Sequence, residues 1–269
     1  MTALRTAYRG LCVALIILTY IITTAIVTLV IRSRRKRLLI NGRILSVYAR
    51  MALKALGIRA RLHGPCAFRP GNMIVANHVS YLDILLLSGF FPGVFITSVE
   101  MRDSGLEGLL IRLTGTVIVE RRDISHLRNE IAAIRELIHQ GLTLFLFPEA
   151  TSTNGEALKP FKSTLFASLE KSGQDILPLC VQYSQVNGEP INRTSRDLVF
   201  WYGDMTFIPH VRRLLTISGA EVDITCLTPI STQEYPGRKD MARETFARIS
   251  AVYKPVPAET AAPGVDDPA

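Results

Sequence analysis

The chain has 269 residues, 48% of them apolar and 20% charged. That excludes a disordered or collagen-like polymer and suits one or two folded domains. The net charge of +8 invites a nucleic-acid reading, but the charges are segregated: thirteen of the 31 Lys and Arg residues precede Asp83, the first acid, leaving 18 basic groups against 23 acidic ones downstream. A basic arm on a mildly acidic body fits an anionic membrane surface and argues against nucleic acid as a partner.

From Leu11 to Ile31 there are 21 residues without a charge. As a helix this run measures about 31 Å, close to the hydrocarbon thickness of a bilayer. Arg32, Arg34, Arg35, Lys36 and Arg37 follow it, whereas only Arg5 and Arg9 precede it. The positive-inside rule then predicts an inner (cytoplasmic) membrane location with the body facing the cytoplasm. A cleaved signal peptide is the competing reading, but its apolar core is about 7–15 residues long and ends in small residues, not in RSRRKR. Whether the run spans the membrane or lies in it stays open. The mixed segment Leu38–Leu56 is predicted to be an interfacial amphipathic helix, with a helix capping the body as the alternative.

Downstream, the apolar runs Met73–Ala76, Val94–Val99, Thr116–Val119, Leu142–Phe147, Ile176–Val181 and Val222–Leu227 are predicted as buried strands. Leu82–Leu87, Leu106–Leu113, Ile124–His139 and Thr164–Lys171 are predicted as helices. Strands alternating with helices predict an α/β fold, a single domain with a largely parallel sheet flanked by helices, preceded by the N-terminal membrane helix. The expected layout is an anchor with its basic flank over 1–37, the interfacial helix over 38–60, the body over 61–254 and a disordered tail over 255–269. Cys12, Cys66, Cys180 and Cys226 show no CxxC spacing, so neither a zinc site nor a disulfide is expected, in keeping with a reducing cytosol. His63, His126, His139 and His210 have no metal-ligand spacing, and nucleotide-binding or serine-hydrolase motifs are missing.

Four segments bear on chemistry. In Asn77-His78-Val79-Ser80-Tyr81-Leu82-Asp83, histidine and aspartate five apart on one helix would point about 140° apart. They meet only if His78 lies in a strand-to-helix turn and Asp83 in the first helical turn, with Ser80 as N-cap. Asp83 would then orient His78 as a base. Equally, His78 merely caps the helix and Asp83 favours its N-terminus. Phe147-Pro148-Glu149-Ala150-Thr151-Ser152 places a carboxylate at a strand end; a helix cap or surface ion pair is the plainer account. Gly115–Arg122 (GTVIVERR) delivers paired arginines suited to an anion, or simply to Glu120 and Asp123. Ile176-Leu177-Pro178-Leu179 says only strand.

Together and in order, NHVSYLD, GTVIVERR, FPEATS and ILPL resemble the glycerolipid acyltransferase family, specifically the bacterial 1-acylglycerol-3-phosphate acyltransferases, over roughly Arg61 to Ile230. The resemblance implies His78 as general base with Asp83 as its partner, Arg121 on the anionic headgroup, and Glu149 and Thr151 lining the acceptor site. Asn77, Ser80 and Lys162 are implied to contact substrate, and Lys159 stands near the same block. It implies no metal and no resident cofactor, acyl-CoA or acyl-carrier protein being the co-substrate and a lysolipid the acceptor. Backbone N–H groups at the start of the following helix are the expected oxyanion donors. Ala150 stands where the family has glycine, Ile118 where it has an aromatic residue, and Thr97-Ser98 where many members have Ala-Lys. With Trp201–Met205, these departures look more like the lyso-ornithine-lipid acyltransferase branch, although Trp201–Met205 reads equally as a strand and turn. A membrane-tethered thioesterase and a non-catalytic lipid-binding protein are the readings of other classes.

Overall fold

The computed structural model describes residues 2–99, 108, 116–119 and 124–257. All but Gly108 of the helix expected over Leu106–Leu113 lies outside them, as do Glu120, Arg121 and Arg122.

The arm is one helix, α1, Thr2–Val30. Its threonines return their hydroxyls to carbonyls four residues back, Thr19 to Leu15, Thr23 to Thr19 and Thr24 to Tyr20, each at 2.8 Å, so polar atoms in an apolar helix are satisfied within it. Ser33 caps the next helix, α2, Arg34–Leu56, which stops at Gly57 in the left-handed region (φ 74°). A Cβ at Gly57 would sit 2.5 Å from the Arg9 guanidinium. α1 packs back along α2: Tyr20 meets Tyr48 edge-on, and the Thr23 and Tyr48 hydroxyls are 3.0 Å apart. Its start is tied to the body by Arg5, which donates to Thr216 O at 2.9 Å, and by Arg9, which donates to the Ile217 and Ser218 carbonyls. Its outer face exposes Leu4, Tyr8, Leu11, Leu15, Leu18, Ile22, Ile26 and Leu29. α2 buries Leu38, Leu45, Ala49, Leu53 and Leu56 against the body, so the segment caps the body as well as presenting an outer face.

The remaining elements are β1 (Ile58–His63), β2 (Met73–Ala76), α3 (Leu82–Phe90), β3 (Val94–Ser98), β4 (Val117–Val119), α4 (Ile124–His139), β5 (Leu144–Leu146), β6 (Ile176–Val186), β7 (Glu189–Pro190), α5 (Phe207–Leu214), β8 (Ala220–Cys226) and α6 (Arg238–Val252). The described strands lie in the order β1-β8-β6-β2-β5-β3-β4, with β7 beside β6. Pairing is parallel except for β6 with β7 and β6 with β8. The central strands read as unbroken apolar runs because both faces are covered. In β2, Ile74 and Ala76 face the core under α2 and α3, while Met73 and Val75 face the core built with α4, Phe166 and Met241.

Several expectations are corrected. β1 is not among the expected strands, because only Ile58 in it is buried. The antiparallel seam begins at Asn187-Gly188, both at positive φ, a two-residue turn that folds β6 onto β7. Thr164–Lys171 is not an α-helix: Thr164–Ser168 is a 3-10 turn whose N–H groups bond three residues back, and Lys171 leaves at φ 61°. α5 carries Pro209 in its first turn, where no backbone donor is lost; α6 shows only the narrow buried stripe Met241, Ala242, Thr245, Ile249. The tail does not begin disordered at Pro255: Val256 is buried and its N–H donates to Gly155 O at 2.9 Å. Nor are all four cysteines free. Pairing of His63 with Thr225 sets Cys66 beside Cys226, and the two form a disulfide with their Cα atoms 5.2 Å apart.

Candidate active site

β2 ends at Ala76 and the chain leaves the sheet through Asn77. The Asn77 amide is fully buried and closed on β6: it donates to Val181 O at 2.9 Å and accepts from Val181 N at 2.8 Å. Expected to touch substrate, Asn77 instead braces the turn, because both ends of its amide are already bonded.

His78 follows, and the predicted geometry is present. Its Nδ1 lies 2.9 Å from Asp83 Oδ2. The five-residue gap closes because Ser80 and Tyr81 form a tight turn, Asp83 N–H reaching Ser80 O at 3.0 Å, before α3 begins. Asp83 is fully buried. Its Oδ2 also accepts the Val79 and Ser80 N–H groups at 2.8 and 2.9 Å, and its Oδ1 accepts the Tyr183 hydroxyl at 2.9 Å. Capping of this turn therefore falls to Asp83. Ser80, fully buried, accepts Leu82 N–H at 3.3 Å and also bonds the Tyr183 hydroxyl, so its side chain lies within the turn. The same bonds engage the N–H groups of Val79, Ser80, Leu82 and Asp83, so those donors are not available to an oxyanion.

One face of the His78 ring stacks on Phe147, centroids 4.1 Å apart at 14°. With Nδ1 on Asp83 and a face on Phe147, the ring has one orientation. Nε2 has no hydrogen-bond partner among the described residues, and the side chain keeps 17% of its surface exposed. An imidazole so held can take a proton at Nε2.

β5 delivers the second block. Glu149 is buried; one carboxylate oxygen accepts His78 N–H and the other Lys159 N–H, each at 2.8 Å. Burial pushes its carboxyl above the ordinary range, the two N–H donors opposing that shift. Glu149 thus braces the His78 turn to the 150–160 loop. Ala150 takes φ 64°, the left-handed conformation that a glycine there would adopt without strain. The Thr151 side chain is exposed and its hydroxyl reaches only Ser152 O at 3.4 Å. Lys159 is exposed, and Lys162 lines a cavity of about 150 Å³ with Phe147, Pro148 and Ala150. His78, Asp83 and Glu149 are brought together, and Lys162 shares a cavity lining with Phe147; Arg121 lies outside the described residues.

Three contributors do not stand out in the sequence. Tyr183 lies two residues beyond the strand expected over Ile176–Val181, which continues to Val186. Phe147 figures there only as part of its motif. His210, in α5, lies 3.0 Å through Nδ1 from the Tyr81 hydroxyl, and Tyr81 also meets Trp201 and Phe207 edge-on. The Trp201 backbone N–H donates to Val79 O at 3.0 Å, so this stretch is packed on the His78 turn.

A family model described as Acyltransferase matches residues 59–182. The chain is 30% identical over 237 residues to the lyso-ornithine lipid O-acyltransferase of Rhizobium meliloti, covering 80% of this chain and 81% of that one. It is 28% identical to the 1-acyl-sn-glycerol-3-phosphate acyltransferase of Neisseria gonorrhoeae, covering 74% and 78%. The crystal structure of the 1-acyl-sn-glycerophosphate acyltransferase PlsC from Thermotoga maritima superposes with a TM-score of 0.64 at 20% identity, over 93% of this chain and 95% of that one, and shares the fold. A fixed imidazole–carboxylate pair at a strand end, in a chain that aligns along most of its length with such a relative, has one reading: the chain belongs to the acyltransferase family.

Proposed function

We propose that this acyltransferase moves a fatty acyl group from a thioester, acyl-CoA or acyl-carrier protein, to the free hydroxyl of a lysolipid in ornithine-lipid or phospholipid biosynthesis. His78 acts as the general base. The acceptor oxygen attacks the thioester carbonyl carbon while its proton passes to Nε2; the tetrahedral intermediate then expels the thiolate, and the ester is complete. Asp83 stabilises the imidazolium that forms. A thiol is acidic enough to leave without a strong acid, so the reaction asks little more of the protein than position and one base. The observation that carries this reading is the His78–Asp83 pair, with Nε2 bonded to none of the described residues and part of the ring open to solvent.

Lyso-ornithine lipid is the acceptor we favour, with lysophosphatidate second. What supports that order is the 30% identity to the Rhizobium meliloti enzyme together with the departures at Ala150, Ile118 and Thr97-Ser98. The substrate is an amphiphile, and the exposed apolar row of α1 beside a basic flank supports membrane association. Both ends of the α1–α2 hairpin lie along the body, so we place α1 within one leaflet, on the cytoplasmic side.

The test is a panel of lyso-ornithine lipid and lysophosphatidate offered to purified membranes with labelled acyl donor. Labelling of lyso-ornithine lipid at the higher rate is expected, with His78→Ala reducing it by about 10²–10⁴. Label in neither product sinks the transferase reading, and free fatty acid released without acceptor would favour a thioesterase.

A further inference from the structure

A second cleft, of about 720 Å³, shares no lining residue with the His78 site. It lies between the start of α1, the end of α2, the end of α3 and the first residues of β1 and β8. Four cations line it, Arg9, Arg50, Lys54 and Arg59, against one carboxylate, Glu221. Glu221 is shared between Arg59 at 3.7 Å and Arg61 at 2.9 Å. Arg9 and Arg50 are held in place by carbonyls, Arg9 on Ile217 and Ser218, Arg50 on Gly89 at 3.0 Å. Lys54 has no ion-pair partner among the described residues. Gly188 lines the same cleft with nothing within 4 Å of the position a Cβ would take, so a ligand meets backbone there without a side chain in the way. The volume is that of a small-molecule site, and the charge is that of an anion site.

The surrounding surface says which anion. Going round α2 from Tyr48, which packs on α1, at about 100° per residue, the exposed residues come in order: Met51, Val47, then Lys54, Arg43 and Arg50. Apolar side chains thus continue the exposed row of α1, and the basic row follows immediately as the rim of the cleft. Such a boundary matches the depth at which bilayer hydrocarbon gives way to phosphate. We propose that this cleft binds the phosphate of an anionic membrane phospholipid, its chains lying along the apolar strip of α1 and α2. It is a site for a bilayer lipid, separate from the acceptor site.

The probe is fluorescent phosphatidylglycerol titrated into full-length protein in neutral detergent micelles, read by anisotropy. Arg50→Ala/Lys54→Ala is expected to weaken binding at least tenfold. The paired change Arg212→Ala/Arg213→Ala, of equal charge on exposed α5, should leave it within twofold. His78→Ala should bind as wild type does, which keeps the result independent of turnover. Inorganic phosphate at 10 mM is expected not to displace the lipid. Equal loss in both double variants would mean unspecific attraction, and displacement by free phosphate would mean a soluble-anion site; either overturns the proposal. If thermal melting shows Arg50→Ala/Lys54→Ala to be unfolded, Arg59→Gln at an exposed position replaces it: weakened binding supports the lipid site, and unchanged binding overturns it.

Discussion

Asp83 accepts four hydrogen bonds, from the His78 ring, two backbone N–H groups and Tyr183. An amide at that position would turn an NH₂ group toward donors, so Asp83→Asn is expected to lower stability by about 3–5 kcal/mol. Turnover should fall by on the order of 10²–10⁴, since the imidazole would lose its orientation. Tyr183→Phe removes one donor and leaves three. About 1–2 kcal/mol of stability should go, with kcat reduced less than tenfold and KM unchanged. Denaturant melts and steady-state kinetics on the two variants separate the cases. A Tyr183→Phe enzyme as inactive as Asp83→Asn would show that the Tyr183 hydroxyl does more than orient the carboxylate.

At the scale of elements, two ties between distant segments can be measured. The disulfide joins the loop after β1 to the end of β8 across 160 residues of sequence. Closing so long a loop restricts the unfolded chain, so Cys66→Ala should lower stability by about 2–4 kcal/mol, and a reductant should bring the wild-type midpoint to that of the variant. No response to reductant would place the two thiols apart in solution. The second tie is α5 to the His78 turn through His210 and Tyr81. Burial, with Arg213 nearby, holds the His210 imidazole down to about 4, whereas the unfolded chain titrates near 6.5. Above about pH 6.5 the ring is neutral in both states and costs nothing. Between about 6.5 and 4 only the unfolded chain takes the proton, so stability should fall by roughly 2–3 kcal/mol as pH drops through that window, then level off. Melting curves of His210→Phe should lack that limb of the pH profile; retaining it would assign the loss to another group.

At the scale of the molecule, α1 decides how the enzyme meets its substrate. Arg5 and Arg9 hold the start of α1 against residues 216–218, and Thr23 meets Tyr48 further along. A helix crossing the bilayer would carry its first residues to the far side, away from those contacts. An epitope tag placed at Met1 is therefore expected on the cytoplasmic side in spheroplasts, together with a tag on the body. A tag reached from the periplasm without permeabilisation would establish a spanning helix and break the contacts of Arg5 and Arg9.

Composition and spacing alone fix the apolar arm, its basic flank and the alternation of strands and helices, because hydrophobic periodicity is a local property of the chain, whereas the spacing of His78 and Asp83 allows their pairing without requiring it. Ile124–His139 is legible to the residue, its apolar stripe ending at Gly141. Tertiary structure decides everything that depends on which segments meet. The Tyr183 bond to Asp83 spans 100 residues, the disulfide 160, and the Arg9 contacts more than 200. Asn77 and Glu149 lie where the motifs put them, yet they brace the turn because the groups they bond, Val181 for Asn77 and His78 for Glu149, arrive from elsewhere in the fold. A side chain's type is written in the sequence; whether its polar atoms are left for a substrate depends on what the rest of the chain brings within 3 Å.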